Sequence, residues 1–244
     1  SKSRGRMIAV PDLLQRYDAD AIRYYVTVVM PETSDSDFYW DDFVQRNNGE
    51  LVGVWGNLAH RVLSFTYKHF GAVPEPGELA DVDRELLAKT EAAFDTVGAH
   101  LAGRRFRAAL SEAMNLAREA NRYLEVKSPW AQIKTDRAAS ATSLYMALQA
   151  INALKVLLAP FLPFSAEKLH KTLGYADQLF GIQYIEEVEA EGQHYSVLRY
   201  DESLARGRWA FETLPAGRVL SQPSPLFKKL DDSVIDEELA RLGK

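Results

Sequence analysis

The chain is 244 residues long, 47% hydrophobic and 26% charged, with no cysteine and a formal net charge of −5. That composition excludes a disordered polymer, a disulfide scaffold and a Cys-type zinc site. No apolar run approaches the ~18 residues that span a bilayer and no secretory leader is visible, so the expectation is a cytoplasmic protein with no membrane partner.

In chain order, residues 1–10 are basic and glycine-containing and read as a loop. Pro11 suits the first turn of a short helix through Leu13 and Leu14. Asp18 or Asp20 is placed to cap the next helix, which carries Ile22, Tyr25 and Val26 on one side. The turn-rich run 30–37 marks a boundary. A long helix is predicted from about 41 to 70, ended by Gly71. On it Leu51, Trp55, Leu58, Val62 and Phe65 recur at helical steps and form one apolar stripe that must be buried. Residues 73–77 form a proline-rich connector. Two further helices follow, about 83–102 and 105–126, with Phe106, Leu110, Met114 and Ala117 setting the period of the second. Ser128 and Pro129 form a helix start, with serine as cap and proline at the first position. The last helices span about 138–159, where Leu144, Leu148, Ile151, Leu154/Lys155 and Leu158 keep register, and 164–173, ended by Gly174. Pro160 and Pro163 separate them. Beyond Gly174 the pattern degrades: residues 181–217 show no sustained period, and 221–227 read as extended. The expected fold class is mainly α, an antiparallel helix bundle with short connections and an irregular C-terminal tail.

The charge is uneven. Residues 100–140 hold eight Lys/Arg against four Asp/Glu. These are either solvated helix faces or a local surface for phosphates, with Arg118, Arg122 and Lys127 as candidates for the latter. Asn57 and Arg61 are four residues apart, so they share one helix face at the edge of the apolar stripe. An amide and a guanidinium there form either an ordinary surface pair or a reader of a base edge. Trp130 follows Pro129 at a helix start. It either fills the core between helices or offers a stacking platform for a base.

The opening Ser1-Lys2-Ser3-Arg4-Gly5, followed by Pro11, Leu13-Leu14, Tyr17 and Asp20-Ala21-Ile22-Arg23-Tyr24-Tyr25, is similar to the segment from the KMSKS loop onward in class I aminoacyl-tRNA synthetases. Trp55-Gly56-Asn57-Leu58-Ala59-His60-Arg61 resembles the anticodon-helix motif of methionyl-tRNA synthetases. Ala120-Asn121-Arg122-Tyr123-Leu124 with Lys127-Ser128-Pro129-Trp130 resembles their second motif. Leu157-Leu158-Ala159-Pro160-Phe161-Leu162-Pro163, Leu214-Pro215-Ala216-Gly217 and 225–231 match later landmarks. The resemblance covers essentially the whole chain.

The resemblance implies the C-terminal half of a methionine–tRNA ligase, starting within the KMSKS loop. Lys2, flanked by Ser1 and Ser3, is then the catalytic-loop, ATP-binding lysine, stabilising negative charge on departing pyrophosphate. Asn57 and Arg61 are implied to contact anticodon bases of a CAU triplet, and Trp130, shaped by Pro129, to stack on the wobble cytosine. The implied partners are tRNA(Met) and a catalytic half, on the same or another chain, that handles methionine. ATP and Mg2+ serve the complete enzyme; none is expected on this part, which alone should be inactive, and no zinc is expected in it. The implied division is 1–38 as the end of the catalytic loop and a connecting segment, 39–175 as the anticodon-binding bundle, and 176–244 as an extension folding back on the core. The alternatives are a free-standing RNA-binding helical module, or the equivalent part of a valyl, isoleucyl, leucyl or cysteinyl enzyme.

Overall fold

Helix α8, Arg137–Leu157, is buried on almost every side and organises the molecule. In the computed structural model, which describes residues 9–32, 35–190 and 192–242, the other elements wrap around it. Its sequence explains the position. Ala, Ser and Leu dominate it, so neighbouring helices approach closely. Its buried hydroxyls cost little because they bond to nearby carbonyls: Thr142 to Ala138 at 3.1 Å and Ser143 to Ala139 at 2.9 Å. Asp136 caps the helix, its carboxylate accepting from the Ala139 N–H at 2.9 Å.

The chain begins with α1 (Val10–Arg16) and α2 (Ala19–Val28) and enters the bundle through α3 (Trp40–Arg46). A π-helical segment, Asn47–Gly56, then runs directly into α4 (Asn57–Phe70). The predicted long helix is therefore continuous in path but not in winding. Three glycines and two asparagines weaken the α preference there, and the Asn amides bond outward. Asn47 donates to the Lys228 carbonyl at 3.1 Å. Asn48 exchanges two bonds with the Leu230 backbone, at 2.8 and 2.9 Å. Leu51, Trp55, Leu58 and Val62 of the expected stripe are all buried. Gly71 ends α4 in the left-handed region (φ 71°), as predicted from its lack of a Cβ.

Helices α5 (Asp81–Ala102) and α6 (Phe106–Lys127) pack on each other and on α8. On α6, Leu110, Met114 and Ala117 are buried, while Phe106 at the start of the expected stripe is exposed. A short helix α7 (Pro129–Gln132) precedes α8, and α9 (Pro163–Thr172) follows it. Asp20 does not cap its own helix. Its buried carboxylate accepts from the Ser165 N–H at 2.7 Å and the Ser165 hydroxyl at 2.6 Å, so α2 caps α9 across the fold.

The region expected to be irregular contains three regular elements, two strands and a helix. Strands β1 (Ile182–Ala190) and β2 (Gln193–Asp201) pair antiparallel, from Ile182 opposite Asp201 to Ala190 opposite Gln193. The hairpin is exposed along nearly its whole length, so no buried face imposed an alternation that sequence reading could detect. Helix α10 (Ser233–Leu242) packs against α3. Its Glu238 is 2% exposed, bonded to Arg16 Nε at 2.7 Å and to the Tyr17 hydroxyl at 2.7 Å. Between hairpin and helix the tail lies on the body. Gln149 exchanges two bonds with the Leu214 backbone, at 2.9 and 2.8 Å, and Asn152 donates to the Glu212 carbonyl at 2.8 Å. One continuous apolar core includes Leu214, Leu220 and Phe227 of this tail.

Candidate nucleic-acid interface

The site starts from the junction of the π-helical segment and α4. Asn57 is the first residue of α4 and is exposed. Its side chain makes no hydrogen bond among the described residues, so its donors and acceptor face water. What fixes its position lies just before it. Asn121 of α6 donates through Nδ2 to the Val54 carbonyl at 3.1 Å and to its own-helix Ala117 carbonyl at 3.0 Å. Gly56 lets the tail approach: a Cβ there would meet the Phe227 ring at 3.1 Å.

Arg61, one turn further along α4, is also exposed. Its guanidinium lies 4.9 Å from the centroid of the Trp130 ring, a cation–π arrangement. Trp130 is half-buried. Phe65, one more turn along α4, meets it edge-on at 5.0 Å and 90°, and His69 lies 4.3 Å from Phe65. The indole is thus packed perpendicular to Phe65 and faces a cation.

The chain reaches Trp130 by a sharp turn. Ser128 adopts φ 45° and ψ 55°, the left-handed region, at a cost of about 1–3 kcal/mol for a non-glycine residue. It occupies the N-cap position of α7, but its side chain caps nothing ahead; the hydroxyl donates back to the Glu125 carbonyl at 2.9 Å. This corrects the expected serine cap: the left-handed backbone turns the hydroxyl away from the new helix. Pro129 stands at the first helical position as predicted and is buried. Its carbonyl accepts from Ser140 Oγ at 3.0 Å, which fastens α7 to α8. Arg137 fastens the other side, donating to the His69 carbonyl at 2.6 Å with its guanidinium 4.4 Å from the Phe70 ring.

The structure therefore brings Arg61 and Trp130 into contact and sets Asn57 one turn away on the same helix. Ser1, Lys2 and Ser3 lie outside the described residues. Sequence reading missed Phe65 as a support, having placed it in the buried stripe. It also missed Asn121 and Arg137, whose partners are backbone carbonyls with no sequence signature. Of the expected phosphate-contacting cations, Lys127 is committed elsewhere, its ammonium 3.0 Å from Asp83. Asp83 also accepts from the Tyr123 hydroxyl at 2.6 Å. Burial alone pushes its carboxyl up, but the bonds from Tyr123, the Ala80 N–H and Lys127 outweigh it and hold the group below the usual range. Arg118 and Arg122 stay at the surface, bonded to Asn115 and Glu119 on their own helix. Among the described residues no group of three or more His, Asp or Glu is arranged to hold a metal, and no helix is long and apolar enough to cross a membrane.

Residues 73–198 match a family described as the anticodon binding domain of methionyl tRNA ligase, and residues 1–63 match the methionyl class I tRNA synthetases. The chain belongs to the methionyl-tRNA ligase family. Curated relatives named methionine–tRNA ligase include one from Chloroflexus aggregans, 51% identical over 99% of this chain and 40% of the relative. Another, from Thermomicrobium roseum, is 52% identical over 99% of this chain and 42% of the relative. The chain thus spans about two fifths of the length of these methionyl-tRNA ligases. Among solved structures, the apo form of Mycobacterium tuberculosis methionyl-tRNA synthetase aligns with TM-score 0.75 and 27% identity, over 93% of this chain and 42% of that one. The same enzyme bound by methionyl-adenylate gives TM-score 0.76 and 28% identity, over 93% and 41%.

Proposed function

We propose that this chain reads the CAU anticodon of tRNA(Met) for a methionine–tRNA ligase, with Asn57, Arg61 and Trp130 as the reading residues. The observation that carries the proposal is the Arg61–Trp130 contact at 4.9 Å, on a surface where Asn57 is exposed and unpaired among the described residues. Unpaired bases are recognised by stacking and by hydrogen bonds to their edges. Trp130 supplies the stacking face for the wobble cytosine, Pro129 sets its direction, and Asn57 and Arg61 supply donors and an acceptor for the other bases. Recognition by a few bases also accommodates a net charge of −5, since it does not need a broad phosphate track.

The whole enzyme activates methionine with ATP and Mg2+ and transfers it to tRNA(Met) in the cytoplasm. In that enzyme Lys2, with Ser1 and Ser3, steadies charge on the leaving pyrophosphate. Residues 1–38 serve as the link to the catalytic part, 39–175 as the anticodon reader and 176–244 as its brace. No other group on the described part takes up ATP or Mg2+ in this reading.

Binding of the chain to RNA hairpins with CAU and GAU loops tests it. CAU is expected to bind more tightly, and Trp130→Ala to weaken CAU binding by about 5- to 150-fold, the equivalent of ~1–3 kcal/mol of stacking. Equal affinity for both loops, or an unchanged affinity in the variant, overturns the assignment.

A further inference from the structure

Away from the RNA-facing residues, α8 buries a lysine. Lys155 is 3% exposed. Its Nζ lies 2.9 Å from Asn152 Oδ1, 3.1 Å from His170 Nδ1 and 4.2 Å from the Tyr175 ring centroid. His170 is itself fixed. It stacks on Tyr175 at 4.2 Å and 12°, and its Nε2 is 2.9 Å from Asp177 Oδ1. An ammonium only donates, so Nδ1 is the acceptor and Nε2 carries the proton given to Asp177. Lysine, histidine and aspartate therefore form a relay in series.

A cavity of about 60 Å³ adjoins this relay, bounded by Lys155, His170, Asp177, Arg206, Arg208 and Glu212. Burial pushes the Lys155 amine down to about 8, with Arg218 adding to the fall and Glu212, Asp177 and Glu167 opposing it. A purely structural role accounts for the bonds of the ammonium. It accounts neither for a chargeable amine at a position an apolar side chain would fill more cheaply, nor for the open space beside it.

We propose that Lys155 is a carbamylation site, taking up carbon dioxide in this cavity. The neutral amine is the nucleophile, and His170 Nδ1 is already in place to take its proton. The Nζ lone pair forms a bond to the carbon of CO2, and one C=O π pair moves onto oxygen. The Nζ proton passes to His170 Nδ1, giving a carbamate beside an imidazolium whose Nε2–H remains on Asp177. No leaving group is produced, so the step needs no exit route from a small cavity. The remaining carbamate N–H donates to Asn152 Oδ1. The new carboxylate lies on the cavity side, whose wall includes Arg206 and Arg208.

The test is 13C NMR of the chain equilibrated with 13C-bicarbonate near pH 8. A carbamate resonance approaching one per chain is expected, absent from Lys155→Arg and reduced at least several-fold in His170→Phe. Resonances common to the unsubstituted chain and Lys155→Arg come from other amines, and spectra that do not differ overturn the proposal. A second measurement needs no variant. Trapping carbamates as ethyl esters with a trialkyloxonium reagent and mapping peptides by mass is expected to place the adduct on Lys155. Adducts only on other amines overturn it.

Discussion

Arg61 sets its guanidinium 4.9 Å from the Trp130 centroid, while Phe65, one turn along the same helix, stands perpendicular to the indole with the ring centroids 5.0 Å apart. One helix therefore supplies both the cation and the aromatic neighbour of Trp130. Phe65→Leu keeps an apolar side chain and removes the aromatic contact, which for an aromatic pair contributes about 0.5–1.5 kcal/mol. The expected result is a roughly 2- to 13-fold weaker affinity for a CAU hairpin with unchanged helicity by circular dichroism. Unaltered affinity with an unaltered fold would show that Trp130 needs no such support.

Arg61→Lys is expected to weaken the same binding although the charge is kept. A guanidinium offers a planar fork and stacks on an indole, and an ammonium does neither in the same way. A lysine variant that binds as well as the parent would reduce the role of Arg61 to charge alone. Titrations at several salt concentrations are expected to give the same slope for both proteins, because the charge is kept and only its geometry changes.

Asp20→Ala removes a buried cap that α9 receives from α2. The Ser165 N–H and hydroxyl lose their shared acceptor, which costs about 2–3 kcal/mol. Urea denaturation reads this as a lower midpoint at constant slope. Asp18→Ala, at the N-cap position of α2 but without a side-chain bond, is expected to cost well under half as much.

Alkaline pH offers a signed test of the Lys155 burial. The folded amine sits at about 8 against 10.5 in the unfolded chain. Between those values the unfolded state binds more protons, so this group makes stability rise with pH. The penalty is full below pH 8 and gone above 10.5, on the order of 3 kcal/mol across the window. In CO2-free buffer, the stability difference between the parent and Lys155→Met is expected to shift in favour of the parent over that range. A difference independent of pH contradicts the depressed amine.

Acid acts on α10. Burial pushes the Glu238 carboxyl up, but bonds from Tyr17 and Arg16, with Arg16 and Arg241 charges, outweigh it and hold the group below its ordinary 4.5. Its contribution is therefore present above that value and lost as pH falls through the folded pKa. Glu238→Gln is expected to destabilise by about 1–3 kcal/mol at pH 7, and the gap to narrow below pH 4.5. Amide exchange of α10 at the two pH values checks it.

The helices were legible because burial imposes a period. Leu144, Leu148 and Ile151 sit where a helix stripe puts them, and Gly71 and Gly174 punctuate as expected. The π winding was not legible, because Leu51, Trp55 and Leu58 are buried at steps that also satisfy an α-helix. The hairpin left no trace because exposed strands such as Tyr184–Glu187 face no core and so show no alternation. Of the site, the identities of Asn57, Arg61, Pro129 and Trp130 came from resemblance to a family. The contact between Arg61 and Trp130 depends on the left-handed turn at Ser128, and no periodicity encodes a tertiary turn.

The backbone exchanges at Gln149 and Asn48 set a limit on dissection. Leu214 meets Gln149 through both its N–H and its carbonyl, and Leu230 does the same with Asn48. Each amide side chain thus behaves as a one-residue strand, and the tail completes it. A fragment cut after residue 198, where the family match ends, would leave a buried carboxamide on α8 with nothing to bond and the π-helical winding without its splint. The smallest unit that keeps these contacts consequently extends through Leu230, and a shorter excised domain would lose both the splint ahead of α4 and the part of the core that Leu214, Leu220 and Phe227 supply.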